Sequence, residues 1–271
     1  MPENQEHDRI EQGWRDYLLA GELKGRYLIS FQTMRNIFRY MPHDPRCLVC
    51  YAPFAGIGGA ISRSLLKRRQ STMNPHLCDV CERHAREHQG GAEIELSMLF
   101  ADIRGSTTIA ESMSPAEFSQ LINRFYQATT RVLVRHNAMI EKLIGDEVAG
   151  LFVPGLSGQE HARVAVNAAQ EILSATGHGD GKEPWVPVGV GVHTGKAFVG
   201  AVRGAGGMST ISALGDAVNT AARLASEAGP GKIVVSEDTW AASGLDLPAT
   251  SVRQLELKGR SEAIDARILG V

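Results

Sequence analysis

The segment MLFADIRGST, residues 98–107, constrains the fold more than any other stretch, because an apolar run ends abruptly on a carboxylate. Met98, Leu99, Phe100 and Ala101 read as a buried strand. Asp102 then stands where another apolar residue would continue the core, and Arg104, Gly105, Ser106 and Thr107 follow. A carboxylate is costly inside a core, so Asp102 belongs at the strand mouth, on the rim of a sheet.

The residues around it alternate strand and helix signals. Ser114-Pro115-Ala116-Glu117 starts a helix, with Ser as N-cap, Pro in the first position and Glu placed for a capping box. Phe118, Leu121, Ile122, Phe125, Thr129, Val132 and Leu133 keep one face of that helix apolar. AMIEKLIGDEVAGLFV is two apolar runs around Gly145-Asp146, the pattern of a β-hairpin. A helix is expected over His161–Leu173, a glycine-interrupted strand and turn in VPVGVGVHTGKAFVG, and a helix over Asp216–Ala225. KIVVS is a short strand, a helix follows from about Glu237, and strands close the chain near Leu255 and Ala266. Helices among partly hairpin-paired strands predict an α+β sandwich on a mixed sheet. The polar EHQGGAE, ending at Glu93, reads as a boundary between residues 1–91 and residues 92–271.

The totals exclude several classes. With 43% apolar residues in 271 the chain is globular, and a net charge of −2 gives no bulk attraction to nucleic acid or membrane. No apolar run approaches the roughly 20 residues of a membrane span, and the acidic start MPENQEHDRIEQGW is unlike a secretory signal. A cytoplasmic protein is expected.

Asp146, at the hairpin tip, is a partner for Asp102 if the two strands are neighbours. Two carboxylates on one rim suit Mg²⁺ or Mn²⁺, which keep water and phosphate as further ligands. The plainer account is that Asp146 only serves its turn. In ALGDAVNTAARL, Asn219 and Arg223 lie four apart on one helix face, a planar donor fork for phosphate one turn from an amide. Alone, they could equally be an exposed pair on a surface helix.

Taken in order, MLFADIRGST, EKLIGDEVAGLF, GVGVHTGKAFVG, LGDAVNTAARL and LELKGRSE resemble the catalytic domain of class III nucleotidyl cyclases, the family of adenylate and guanylate cyclases. The resemblance covers about residues 93–271 and implies a ferredoxin-like cyclase sandwich. It implies that Asp102 and Asp146 bind two Mg²⁺ or Mn²⁺ ions per active site, with the Ile103 carbonyl helping. Lys142 corresponds to the lysine that reads adenine. Ser212 stands where the family usually has Asp or Thr contacting the base. Guanylate cyclases carry Glu and Cys at these two positions; this chain has neither, so ATP is favoured. Asn219 and Arg223 correspond to the ribose-orienting and transition-state residues. Lys258 corresponds to the triphosphate-binding lysine, with Arg260 as a substitute. The implied reaction converts ATP to 3′,5′-cyclic AMP and pyrophosphate by two-metal phosphoryl transfer. Metal and base residues come from different subunits in this family, so the resemblance implies a homodimer with shared sites. The alternatives are a guanylate cyclase and a catalytically weak nucleotide-binding sensor. A metal-ribbon nucleic-acid module is disfavoured by the near-neutral charge and the lack of an aromatic–basic stripe.

CLVC and CDVC supply Cys47, Cys50, Cys78 and Cys81, every cysteine of the chain. In a reducing compartment paired C-x-x-C knuckles offer four thiolates to a metal, either Zn²⁺ or an iron–sulfur cluster. The flanking residues are expected to build little core of their own, so that the metal organises them. Tyr27, Leu28, Phe31, Met34, Ile37 and Phe38 keep helical spacing and suggest a dimerisation helix, and RSLLKRR reads as a solvated basic face. His43, His76 and His84, close by, read as surface residues.

Overall fold

The computed structural model describes residues 2–21, 31–42, 44–179, 181, 183–203, 209–246, 251–256 and 263–270. Their elements are, in order, helices α1 (Pro2–Ala20), α2 (Phe31–Tyr40), α3 (Gly56–Ser64) and α4 (Asp79–Glu87), then strand β1 (Gly90–Ile103). Helices α5 (Ser106–Glu111) and α6 (Pro115–Arg135), the hairpin β2 (Met139–Ile144) and β3 (Glu147–Phe152), and helices α7 (Pro154–Ser157) and α8 (His161–Ala175) follow. The chain ends with β4 (Val188–Arg203), β5 (Ser209–Leu214), α9 (Asp216–Glu227), β6 (Lys232–Ser236), α10 (Glu237–Ser243), β7 (Arg253–Leu255) and β8 (Ile264–Gly270). The strands form one mixed sheet in the order β2-β3-β1-β4-β6-β8-β7, with β5 on β4. This is the α+β class read from the sequence. No helix among the described residues is long and apolar enough to cross a membrane.

Two compact units divide these residues. The larger comprises 95–153, 157–197 and 215–271. In it β1 pairs antiparallel with β3, β2 with β3, β6 with β8 and β7 with β8, whereas β4 pairs with β6 in parallel. The start of α6 is as its sequence dictates: Glu117 N–H donates to Ser114 Oγ at 3.3 Å and Ser114 N–H to Glu117 Oε2 at 2.8 Å. Its C-terminal half buries Phe125, Thr129, Val132 and Leu133, whereas Phe118, Leu121 and Ile122 are only half-buried. Leu133 lies so close to Gly150 of β3 that a Cβ there would meet its side chain at 2.8 Å.

VPVGVGVHTGKAFVG is not a strand and turn; from Val188 onward it lies in one sixteen-residue strand, β4. Gly189 and Gly191 answer to α9 and its C-cap rather than to a bend. A Cβ on Gly191 would lie 2.2 Å from Ala225 N and 2.6 Å from Ala221 O, and one on Gly189 would lie 2.3 Å from Ala228 O. The helix therefore rides directly on the strand backbone, and glycine is the only residue that permits it.

The smaller unit comprises 1–94, 154–156 and 198–214. Gly90–Glu93, part of the stretch read from the sequence as a domain boundary, are the first residues of β1. A Cβ on Gly91 would meet Val199 O at 2.4 Å, and one on Gly200 would meet Gly91 Cα at 2.4 Å. The glycine pair serves a close backbone crossing. Contrary to the sequence expectation, this unit has a core of its own, built from Trp14, Tyr17, Leu18, Phe31, Phe38, Tyr51, Phe54 and Leu77. Trp14, Tyr17 and Leu18 come from α1, whose buried face the polar N-terminal residues obscure. The predicted helix beginning at Tyr27 is described only from Phe31, since Tyr27 and Leu28 lie outside the described residues. Its Ile37 is 47% exposed, whereas Phe31 and Phe38 are buried in the unit's core.

Candidate functional site

Antiparallel pairing sets Asp102 opposite Glu147 at the end of β1. The β2–β3 turn folds beside it, because Gly145 takes a left-handed φ of 61° that glycine adopts without strain. Ile103 N–H donates to Asp146 O at 3.1 Å, which ties the two aspartate-bearing ends together. Asp102, Ile103 and Asp146 therefore share one rim. Tyr126 of α6 closes the turn from outside, its hydroxyl donating to Gly145 O at 2.7 Å.

The rim is crowded with charge. Arg104 pairs through Nη2 with Asp102 Oδ2, and its Nη1 donates to Ser226 O on α9 at 3.1 Å. Burial pulls the Arg104 guanidinium below its ordinary value, against the opposing pull of Asp146 and Glu147. Burial also raises the Glu147 carboxyl, with Asp146 adding to the rise and Lys142 opposing it. Asp102, Asp146 and Glu147 thus face Arg104 and Lys142, an excess of carboxylate over cation. Two carboxylates and a main-chain carbonyl are hard oxygen donors, and such a set fits Mg²⁺ or Mn²⁺.

Lys142 lies just past an irregularity in β2, where the pairing with β3 shifts between Ile140 and Lys142. Its Nζ is 3.6 Å from Glu141 Oε1, and Glu141 is buried while Lys142 reaches the surface. On α9, Ala217, Val218, Thr220, Ala221, Leu224 and Ala225 face the core. Asn219 is exposed and Arg223 half-exposed, so the two share the outer side of the helix, as their spacing predicted. Ser212 lies in the smaller unit on β5, opposite Gly200 of β4. Lys258 and Arg260 fall outside the described residues. Arg104 is the rim residue that sequence reasoning passed over, although it stands two residues after Asp102 inside the first motif.

The four cysteines form a second centre, within the smaller unit. Their sulfurs all lie within 4.8 Å of one another and all four residues are buried. Cys50 and Cys78 sulfurs are 3.6 Å apart. Hydrogen bonds from the neighbouring thiols, with Arg68 nearby, hold Cys78 well below the usual thiol range, whereas burial pushes Cys50 up. Arg68 is 4% exposed and donates through Nη1 to Cys78 Sγ at 3.7 Å. The RSLLKRR run is therefore not wholly a solvated face. Of the three histidines, His76 is exposed and His84 half-buried, stacked on His88 at 4.3 Å between ring centroids; His43 lies outside the described residues.

A mixed sheet with paired aspartates on its rim and an Asn/Arg helix beside it defines a nucleotidyl cyclase type of domain. Residues 91–268 match the family model of the adenylate and guanylate cyclase catalytic domain, and the chain belongs to that family. It is 33% identical over 172 residues to the human protein "Retinal guanylyl cyclase 1", a match covering 62% of this chain and 15% of that protein. It is 31% identical over 135 residues to "Adenylate cyclase" of Anabaena cylindrica, covering 48% of this chain and 26% of that one. The chain thus spans a minor part of the length of these relatives. The crystal structure of the guanylyl cyclase Cya2 superposes with a TM-score of 0.61 at 27% identity, over 68% of this chain and 95% of that one.

Proposed function

We propose that this chain is an adenylate cyclase, which converts ATP to 3′,5′-cyclic AMP and pyrophosphate in a homodimer. The observation that carries the reading is the shared rim of Asp102 and Asp146, joined by the Ile103–Asp146 backbone bond. In the reaction the ribose 3′-hydroxyl gives up its proton to water, its oxygen attacks the α-phosphorus and the bond to the bridging oxygen breaks, so pyrophosphate leaves with the electron pair. Asp102, Asp146 and the Ile103 carbonyl would hold two divalent cations. Bound Mg²⁺ or Mn²⁺ lowers the pKa of the ribose hydroxyl and offsets charge on the triphosphate. Arg104 keeps the Asp102 carboxylate turned along the rim. Asn219 orients the ribose, and Arg223 stabilises charge on the α-phosphoryl oxygens. Lys258 binds the triphosphate.

Lys142 and Ser212 support ATP. A lysine cation accepts no hydrogen bond, so it does not satisfy the donors of guanine as a carboxylate would. A guanylate cyclase is the second reading, favoured by the match to the human retinal enzyme. The test is to incubate the full chain with ATP or GTP and Mn²⁺ or Mg²⁺ and to measure both cyclic nucleotides. Cyclic AMP as the main product is expected. Predominant cyclic GMP would overturn the ATP assignment, and no product from either would overturn the cyclase reading.

A further inference from the structure

We propose that Cys47, Cys50, Cys78 and Cys81 hold a single zinc ion in tetrahedral coordination, and that this centre keeps α4 docked on β5. The spacing of the sulfurs distinguishes one ion from a cluster. Zinc–sulfur bonds of about 2.3 Å put tetrahedral thiolates about 3.8 Å apart. Cys50 and Cys78 sulfurs are 3.6 Å apart, and no pair of the four exceeds 4.8 Å. An iron–sulfur cluster distributes its thiolates over different irons, which separates them by an added iron–iron distance, and this set would have to spread to accept it.

Both ligand pairs are built into rigid turns. Cys47 and Cys50 bracket a tight turn closed by Tyr51 N–H to Cys47 O at 3.0 Å and Cys47 N–H to Ala52 O at 2.9 Å. Cys78 is the N-cap of α4 and accepts from Cys81 N–H at 3.4 Å. Four thiolates around a dication leave two negative charges in a buried place, and Arg68 beside Cys78 offsets part of them. The centre is also closed. The cavity against Cys81, bounded by Tyr17, Phe31, Val49 and Arg68, holds about 20 Å³, room for a water but not for a substrate. A full set of protein ligands without an open position marks a structural rather than a catalytic zinc.

The centre reaches β5 through the residues that flank its second ligand pair. Asn74 Nδ2 donates to Ser209 O at 3.2 Å, and Gln89 Nε2 donates to Ser209 Oγ at 3.1 Å. Cys78 and Cys81 lie between these two contacts in the chain, and α4 packs on β5. Loss of the ion frees the start of α4 and with it the support of residues 209–214.

The full chain, purified without air, should contain one zinc per chain, be colourless and lack iron and acid-labile sulfide. Exchange of the ion for Co²⁺ should give the visible ligand-field and thiolate charge-transfer bands of tetrahedral cobalt. Iron with acid-labile sulfide, or a wild-type chain that is folded yet metal-free as purified without air, would overturn the zinc assignment. In hydrogen exchange, Cys81→Ser should lose the ion and speed exchange across 209–214 while leaving 147–152 unchanged. If that variant does not fold, the wild-type chain before and after chelation supplies the same comparison. Zinc loss with unchanged protection of 209–214 would overturn the docking role.

Discussion

If the carboxylates and the α9 residues of one site come from different subunits, two inactive variants must rescue each other by a calculable amount. Take Asp146→Ala as one partner and Arg223→Ala as the other. Asp146 sits half-exposed in the turn at the rim and Arg223 half-exposed on the outer side of α9, so neither truncation opens the core. Each homodimer then has two defective sites. Loss of a group that acts on developing charge lowers turnover by about 10²- to 10³-fold. In a heterodimer one site collects both defects, and the other combines intact carboxylates with an intact α9. Free exchange at equal concentrations makes about half of the dimers mixed, each with one working site of two, so the mixture regains about a quarter of the wild-type rate per chain. That is about 25-fold or more above the better single variant, by the same loss factor. The measurement is cyclic AMP formation with ATP and Mn²⁺ by differently tagged variants, with mixed dimers recovered by tandem capture. If capture recovers them and the rate stays at the single-variant level, the site does not span subunits.

Asp102→Asn should lower turnover by about 10²-fold or more while leaving the melting temperature within a few degrees, because it removes a ligand charge at a rim position; wild-type turnover would remove Asp102 from the metal site. Lys142→Glu combined with Ser212→Cys should shift product from cyclic AMP toward cyclic GMP, measured as the ratio of kcat/KM for the two triphosphates, and an unchanged ratio would refute the base-contact assignment. Gly191→Ala pushes a Cβ to 2.2 Å from Ala225 N, so α9 must lift away from β4. A cost of about 1–3 kcal/mol follows, which lowers the melting temperature by about 2–10 °C. Because Asn219 and Arg223 ride on that helix, turnover should fall beyond what lost folded protein explains; a stable, fully active variant would contradict the packing.

The features legible in the sequence are those set by near neighbours. The capping box at Ser114 and Glu117, the hairpin around Gly145-Asp146, the spacing within each C-x-x-C knuckle and the shared face of Asn219 and Arg223 each rest on residues about a turn apart. That β1 nears its end at Asp102 was legible because a charge is costly in a buried strand, although the strand runs one residue further, to a buried Ile103. Tertiary structure decided what glycine and arginine mean. Gly90-Gly91 looks only like a domain boundary and Gly189-Val190-Gly191 like a broken strand until the backbones of β4 and α9 are known to pass within contact distance. A missing side chain serves a turn and a close crossing equally well, and only the neighbour shows which. Arg68 likewise reads as one more solvated charge in RSLLKRR, ten residues from Cys78. Its guanidinium is equally at home in water or against a thiolate, and only the folded chain, by burying it beside the cysteines, decides between the two.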